Sequence, residues 1–158
     1  VKKKLSHIDK SGLPSMVNVS EKKITLRVAE ARGVVRLGKE ILKALSGDEL
    51  IVKKGPVFQT AIIAGVMAAK KTSELIPLCH PIAMEDCQIK ISVIKEEAVV
   101  TSSIRVTAKT GAEMEALTAV SVAALTIYDM CKAMSHDIEI HEIKLMKKTG
   151  GKKDFSRK

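Results

Sequence analysis

Aromatic residues are almost missing from this chain: among 158 residues there is no Trp, one Tyr and two Phe. Proteins that hold single-stranded nucleic acid stack its bases on aromatic side chains, so that class loses its main instrument here. Cysteine is sparse as well. Cys79, Cys87 and Cys131 are odd in number and widely spaced, with no Cys-x-x-Cys pair, which argues against a disulfide framework and for free thiols in a reducing compartment. No apolar stretch reaches the roughly 20 clean residues of a membrane span. The longest, Ala116 to Met130, is broken by Thr118, Ser121, Thr126 and Asp129. The opening VKKKLSHIDK contains no apolar signal region. A cytoplasmic protein with no membrane contact is expected.

What the chain does have is apolar mass and positive charge. Its length suits a single domain over 1–158, and 46% hydrophobic residues suffice for a core. Lys and Arg number 27 against 18 Asp and Glu, a net charge of +9. Such a balance suits a polyanionic partner. With so few aromatics, a small phosphorylated ligand fits it as well as nucleic acid does.

Residues 1–20, broken by Gly12 and Pro14, read as a mobile segment. Ile24 to Leu37 is rich in β-branched residues and predicts a long strand. Gly38 to Leu45 predicts a short helix with Ile41, Leu42 and Leu45 on one face. Ser46–Asp48 reads as a turn and Lys53–Pro56 as a loop, with Pro56 suited to the first turn of a helix over 57–71. The small residues of that helix, Ala61, Ala64, Gly65, Ala68 and Ala69, permit close packing. Alternation predicts strands over 87–94 and 98–108, joined at 95–97. A long apolar helix follows over 110–132. A last strand covers 138–146, with an irregularity near His141 where the alternation changes phase. The tail 149–158 is basic and contains Gly, and reads as a second flexible segment. The order β-α-α-β-β-α-β, one inserted helix aside, is the split βαβ plan of a ferredoxin-like α+β fold: an antiparallel sheet with helices on one face. The apolarity of 116–131 and the small-residue face of 57–71 exceed what one small sheet can cover, which predicts a homo-oligomer.

Two apolar stretches carry titratable groups that a core does not need, and burying such groups costs several kcal/mol unless they are paired. In Leu75–Ile82, His80 lies between Pro77 and Pro81, a rigid setting that suits a positioned proton donor; a satisfied core histidine is the plainer reading. Cys79 and His80 do not make a metal site, because adjacent residues rarely ligate one ion and no second ligand pair stands at metal spacing. The long helix opens with Glu113 and Glu115. Thr110 to Glu113 fits a capping box, which explains one glutamate and not the other; two carboxylates can instead accept from the amide and amine edge of a guanine-like base. At its far end Asp129 and Lys132 share a face. An exposed ion pair is the plainer reading, but the apolar flanks favour a partly desolvated lysine with a lowered pKa, able to act as acid or base.

Taken together, these residues resemble the MoaC family, the cyclic pyranopterin monophosphate synthases of molybdenum cofactor biosynthesis. The resemblance runs through LSHIDKSGLPSMVNVS (5–20), KKGPVFQTAIIAGVMAAKKTSELIPLCHPI (53–82), TGAEMEALTAVSVAALTIYDMCKA (110–133) and KKTGGKKDF (147–155). It implies a ferredoxin-like subunit in a hexamer built from dimers, with active sites at subunit interfaces to which the flexible segments contribute. The implied substrate is the triphosphate of a 3′,8-cyclised dihydroguanosine, made from GTP by a separate radical-SAM enzyme. The implied products are cyclic pyranopterin monophosphate and pyrophosphate. By matching position, Lys54 and Lys132 resemble the catalytic lysines, with His80 and Asp129 as their proton-transfer and orienting partners. Cys79 is implied as a substrate contact; Glu113, Met114 and Glu115 resemble contacts on the purine side, and Arg27, Lys70 and Lys152 those on the phosphate side. No tightly bound cofactor is implied; magnesium accompanies the triphosphate. The rival expectations are a nucleic-acid-binding ferredoxin-like module, which needs aromatics on strands 87–94 and 98–108 that are not there, and a GTP-binding module without catalysis.

Overall fold

β-Branched residues begin in earnest after residue 24, and there the computed structural model, which describes residues 8 and 11–157, starts its first long strand, β1 (Thr25–Arg36). The flexibility expected of both termini falls partly on residues 1–7, 9, 10 and 158, outside the described residues. β1 is central. It pairs along its whole length with β6 (Glu97–Ala108), from Thr25 opposite Ala108 to Arg36 opposite Glu97. On its other side lies β7 (Glu139–Thr149). β5 (Asp86–Ile94) closes a hairpin with β6, Lys95 taking a φ of 56° in the turn. β8 (Phe155–Ser156) lies on the outer edge of β7. Every pairing is antiparallel, in the order β5-β6-β1-β7-β8. The chain is an α+β protein.

Alternation in β1 and β6 divides the sheet into unlike faces. Ala29, Ala31, Gly33 and Val35 stand opposite Ile104, Ser102, Val100 and Ala98, and all eight are buried. This face receives α4 (Glu113–Cys131): the Ser102 hydroxyl donates to the Ala116 carbonyl at 2.8 Å, and Gly33 leaves room for the Val120 side chain. The other face is apolar and buried at the Val34–Val99 pair, and polar and open over Glu30 to Arg32. A groove of about 470 Å3 there is lined by Glu30, Arg32, Gln88, Lys90, Thr101, Ser103 and Met146 among others. The irregularity expected near His141 is present: the β1–β7 register shifts between Arg32 and Val34, and Glu142 takes a φ of 53°.

Between β1 and β5 the chain is more structured than its pattern predicts. A helix α1 (Gly38–Leu42) is followed by three short strands, β2 (Leu45–Ser46), β3 (Glu49–Val52) and β4 (Gly55–Pro56), which form a separate antiparallel sheet. The segments read as a turn and a loop are its hairpins; strands of two to four residues are too short for alternation to reveal. α2 (Val57–Lys70) then packs on α4, and a single turn, α3 (Thr72–Leu75), follows. The α2–α4 contact is close because Gly65 makes it so: a β-carbon there would lie 2.5 Å from Ile89 Cδ1 and 2.9 Å from the Ala119 carbonyl oxygen.

α4 is the pillar of the core. Ala116, Ala119, Val120, Ala123, Ala124 and Ile127 are fully buried. By length and composition it could cross a membrane, yet 56% of its most apolar window is buried inside the fold. The capping box expected at its start does not form. Ala112, not Thr110, occupies the N-cap position, no side chain caps the helix, and Glu113 turns to a different partner.

Candidate functional site

The start of α4 opens onto a cavity of about 730 Å3, walled by the 17–22 segment, the 78–80 segment, the 110–115 entry to the helix, and the end of β7 with its following turn. Seven of the predicted site residues line it: Arg27, Cys79, His80, Glu113, Met114, Glu115 and Lys152. They come from β1, from the proline-bounded segment, from α4 and from the tail, so no single element assembles them.

Two of them, Arg27 and Glu113, and the turn before Lys152 are held by identifiable contacts. Arg27 donates from Nε to the Ala108 carbonyl at 3.0 Å and from Nη2 to the Lys109 carbonyl at 3.1 Å. Its guanidinium is thus fixed at the cavity wall before any ligand arrives. Glu113 accepts from Lys148 Nζ at 2.9 Å, and its carboxylate folds back over Gly111, where a side chain would collide with it. The 150–151 turn is anchored by Thr25 Oγ1 donating to the Gly150 carbonyl at 2.8 Å and by the Gly150 amide donating to Asp154 Oδ1 at 3.0 Å. Gly150 has a φ of 80°, and a β-carbon there would collide with the Leu26 carbonyl.

Glu115 is the anomalous group. It is 4% exposed. Burial pushes its carboxyl up to about 7, with Glu113 adding to the rise and its own backbone hydrogen bond opposing it. Near neutral pH it is divided between acid and carboxylate, able to donate or accept a proton. The Cys79 thiol is raised as well, by burial first and by the Glu115 charge second, which keeps it a neutral thiol.

Three of the remaining four candidates form a second cluster at the other end of α4. Asp129 sits between two ammonium groups: Lys132 Nζ lies 2.7 Å from Oδ1 and Lys54 Nζ 3.0 Å from Oδ2, with Lys54 also donating to the Asp129 main-chain carbonyl at 2.9 Å. Hydrogen bonds from Lys132 and Lys54 hold the Asp129 carboxyl below its usual range. The expectation of a depressed lysine is corrected here. All three side chains are about half exposed. With little desolvation to oppose it, the hydrogen bond to Asp129 raises the Lys132 pKa, so Lys132 stands at neutral pH as an ammonium, a proton donor rather than a base.

Lys70 joins neither group directly. It ends α2 near Cys87, whose thiol it lowers against the larger effect of burial, and it does not line the cavity. Lys148, Lys22 and Asn18, by contrast, line the cavity and were not singled out by sequence reasoning. Lys148 follows Lys147 in a basic run; only the sheet register sends one to Glu113 and the other toward Glu30. Among the described residues no three His, Cys, Asp or Glu side chains converge as a metal-binding group.

The fold and this geometry define an α+β protein with two charged clusters at opposite ends of one buried helix. Comparison with known proteins gives it a family. Residues 16–151 match the model of the MoaC family. The cyclic pyranopterin monophosphate synthase of Xanthomonas axonopodis pv. citri is 47% identical over 153 residues, covering 96% of this chain and 93% of the relative. The molybdenum cofactor biosynthesis bifunctional protein of Synechocystis is 48% identical over 157 residues, and molybdenum cofactor biosynthesis protein 1 of Drosophila melanogaster 47% over 155. The chain spans 45% and 27% of the length of those two. The chain belongs to the MoaC family.

Proposed function

We propose that this chain is a cyclic pyranopterin monophosphate synthase. It takes the triphosphate of 3′,8-cyclised dihydroguanosine, opens the five-membered ring of the purine, rebuilds the base as a pterin, and closes a cyclic monophosphate with release of pyrophosphate. The observation that carries the reading is the near end-to-end match at 47% identity to a relative bearing that name. The chemistry of the two clusters supports it. Ring opening and ring closure move several protons, and phosphate displacement needs cations. Glu113 and Glu115 suit the amide and amine edge of the base, beside Met114 and Cys79. Arg27 and Lys152 suit the phosphates from within the cavity, Lys70 is assigned to them from outside its lining, and magnesium enters with the triphosphate as part of the substrate. Lys54 and Lys132 act as ammonium donors oriented by Asp129, and His80 transfers protons on the cavity side.

The distance between the clusters bears on assembly. Glu113 and Lys132 are separated by the whole of α4, roughly 28 Å at about 1.5 Å per residue. One reacting purine ring cannot touch both ends of the same helix. A complete site therefore combines the cavity of one copy with the Lys54–Asp129–Lys132 cluster of another. Exposed apolar residues on the helical layer, Ile63 and Met67 on α2 and Leu125 on α4, support a homo-oligomer; the form proposed for it is a hexamer of three dimers. The order β7-β1-β6-β5, fourth, first, third and second of the long strands, supports the ferredoxin-like assignment.

Incubation with the cyclised GTP intermediate tests the reaction: a pterin product and stoichiometric pyrophosphate are expected. Binding of the intermediate without either product would favour the non-catalytic GTP-binding reading.

A further inference from the structure

Glu49 has no part in the chemistry above, yet it binds together the pieces of chain that carry Lys54. It belongs to β3, five residues before that lysine. Its Oε1 accepts from the Phe58 amide at 2.7 Å and from the Leu50 amide at 2.8 Å, and its Oε2 accepts from the Gln59 amide at 3.0 Å. Phe58 and Gln59 are the second and third residues of α2, the positions an N-cap side chain ordinarily serves. Pro56 at the N-cap has no side-chain acceptor, and the first turn of α2 holds no acidic residue. Glu49 supplies both the missing acceptor and the missing negative charge from a neighbouring strand.

Between the two ends of this clamp lies the Lys53-Lys54 turn. β3 and β4 pair across it, Val52 with Gly55 and Ile51 with Pro56, and Gly55 adopts a φ of 113°. Two ladder pairs alone hold a hairpin weakly. The β3 side is tied to α2 by Glu49, and the β4 side runs directly into α2. Both feet of the turn are thereby fixed to one helix, and α2 is itself locked on α4 through Gly65. Lys54 then reaches Asp129, near the end of α4, with two hydrogen bonds.

We propose that Glu49 is a positioning residue for Lys54, its carboxylate clamping β3 to the start of α2 so that the Lys54 ammonium is held against Asp129. This rests on the reading of Lys54 as catalytic. A misplacement of about 1 Å can cost up to about 10²-fold in rate, so loosening the clamp acts on turnover while leaving the cavity untouched. Glu49→Gln keeps the shape but sets an amide N–H2 against a backbone N–H.

The test measures kcat, KM, melting temperature and oligomer size for the full chain as wild type, Glu49→Gln, Lys54→Ala and the double variant. Glu49→Gln is expected to lower kcat at least about 10-fold with KM changed less than about twofold, the signature of an interaction needed in the transition state. In the Lys54→Ala background the same substitution is expected to add no further loss of turnover, because its effect passes through the lysine. Turnover losses that multiply, a KM effect without a kcat effect, or normal turnover in Glu49→Gln beside an inactive Lys54→Ala would each overturn the clamp while leaving the catalytic reading standing. Normal turnover in Lys54→Ala would remove that reading and the clamp with it. Should Glu49→Gln fail to assemble, Glu49→Asp, one methylene shorter, carries the same expectations at smaller amplitude.

Discussion

Asp129 and Glu115 are carboxylates on one helix with opposite environments. Asp129 is exposed between two ammoniums and titrates low; Glu115 is buried and titrates near 7. The difference has consequences for stability. An unfolded chain releases the Glu115 proton near 4.5, while the folded one retains it to about 7. Between those values the folded state binds the extra proton, so its stability falls as pH rises and stays reduced above 7. Glu115→Gln, never charged, should therefore be more stable than wild type at pH 8 by on the order of 1–3 kcal/mol, the gap closing as pH falls below about 4.5. Melting curves at pH 8 and below that lower value check this; an unchanged gap would mean that Glu115 is not titrating as described. For Lys132 the expectation is catalytic. Lys132→Ala should keep the assembly and melting temperature nearly intact but lose at least roughly 10²-fold in turnover. Lys132→Arg should recover little, since a guanidinium gives up its proton far less readily than an ammonium and its planar fork cannot place a single donor in the same position. A structural ion pair gives the reverse pattern: lower melting temperature, near-normal pyrophosphate release, and good rescue by arginine.

The decisive contact between elements is that of α2 with α4. Their small residues let two helix backbones approach, and the approach carries the Lys54 turn to the end of α4. Gly65→Ala puts this to a test. Alanine is favoured over glycine in a helix by about 1 kcal/mol, so an open site would gain stability. Here the added carbon meets Ile89 and the Ala119 carbonyl, and overpacking of that kind costs about 1–3 kcal/mol. We expect a net loss in denaturant titrations, with a fall in turnover as Lys54 shifts; a rise in the unfolding midpoint would show that the helices have room to spare. Nothing comparable protects the open sheet face, where Arg32, Glu142 and Lys144 form an exposed network worth little individually.

At the scale of the whole molecule, the separation of the clusters predicts complementation. His80→Ala damages the cavity end and Lys132→Ala the far end. Each should be nearly inactive alone. Co-expressed and randomly assembled, they should regain about a quarter of wild-type turnover, because some interfaces then pair two intact halves. Failure to recover activity in verified mixed oligomers would mean that each subunit completes its own site. A monomer by light scattering at micromolar concentration would contradict the assembly outright. The net charge of +9 makes a further demand. Affinity for the cyclised triphosphate should weaken with added salt and with removal of the β- and γ-phosphates, since cations dominate that end of the cavity. Equal binding of nucleoside and triphosphate in calorimetry would remove Arg27 and Lys152 from the phosphate assignment.

Much of this was legible in the residues themselves. Strand period in 25–36, 86–94 and 97–108, helix period in 57–70 and 113–131, and the phase change near His141 are local patterns, and burial on one face writes them into consecutive residues. Family membership was legible too, because long motifs in fixed order carry it. The small sheet β2-β3-β4 was not, its strands being shorter than any period. Nor were the partners of charged groups. Glu113 pairs with Lys148, Glu49 caps α2, and Lys132 is raised rather than lowered by its surroundings. The sequence by itself determined which segments form strands and helices and which of their faces are apolar, since these depend on neighbours within a turn or two. The tertiary structure alone decided how far each charge is desolvated and which opposite charge it meets, because Coulomb and hydration energies depend on distance in space. It is that spatial placement which sets seven predicted residues around one cavity and leaves three at the other end of α4.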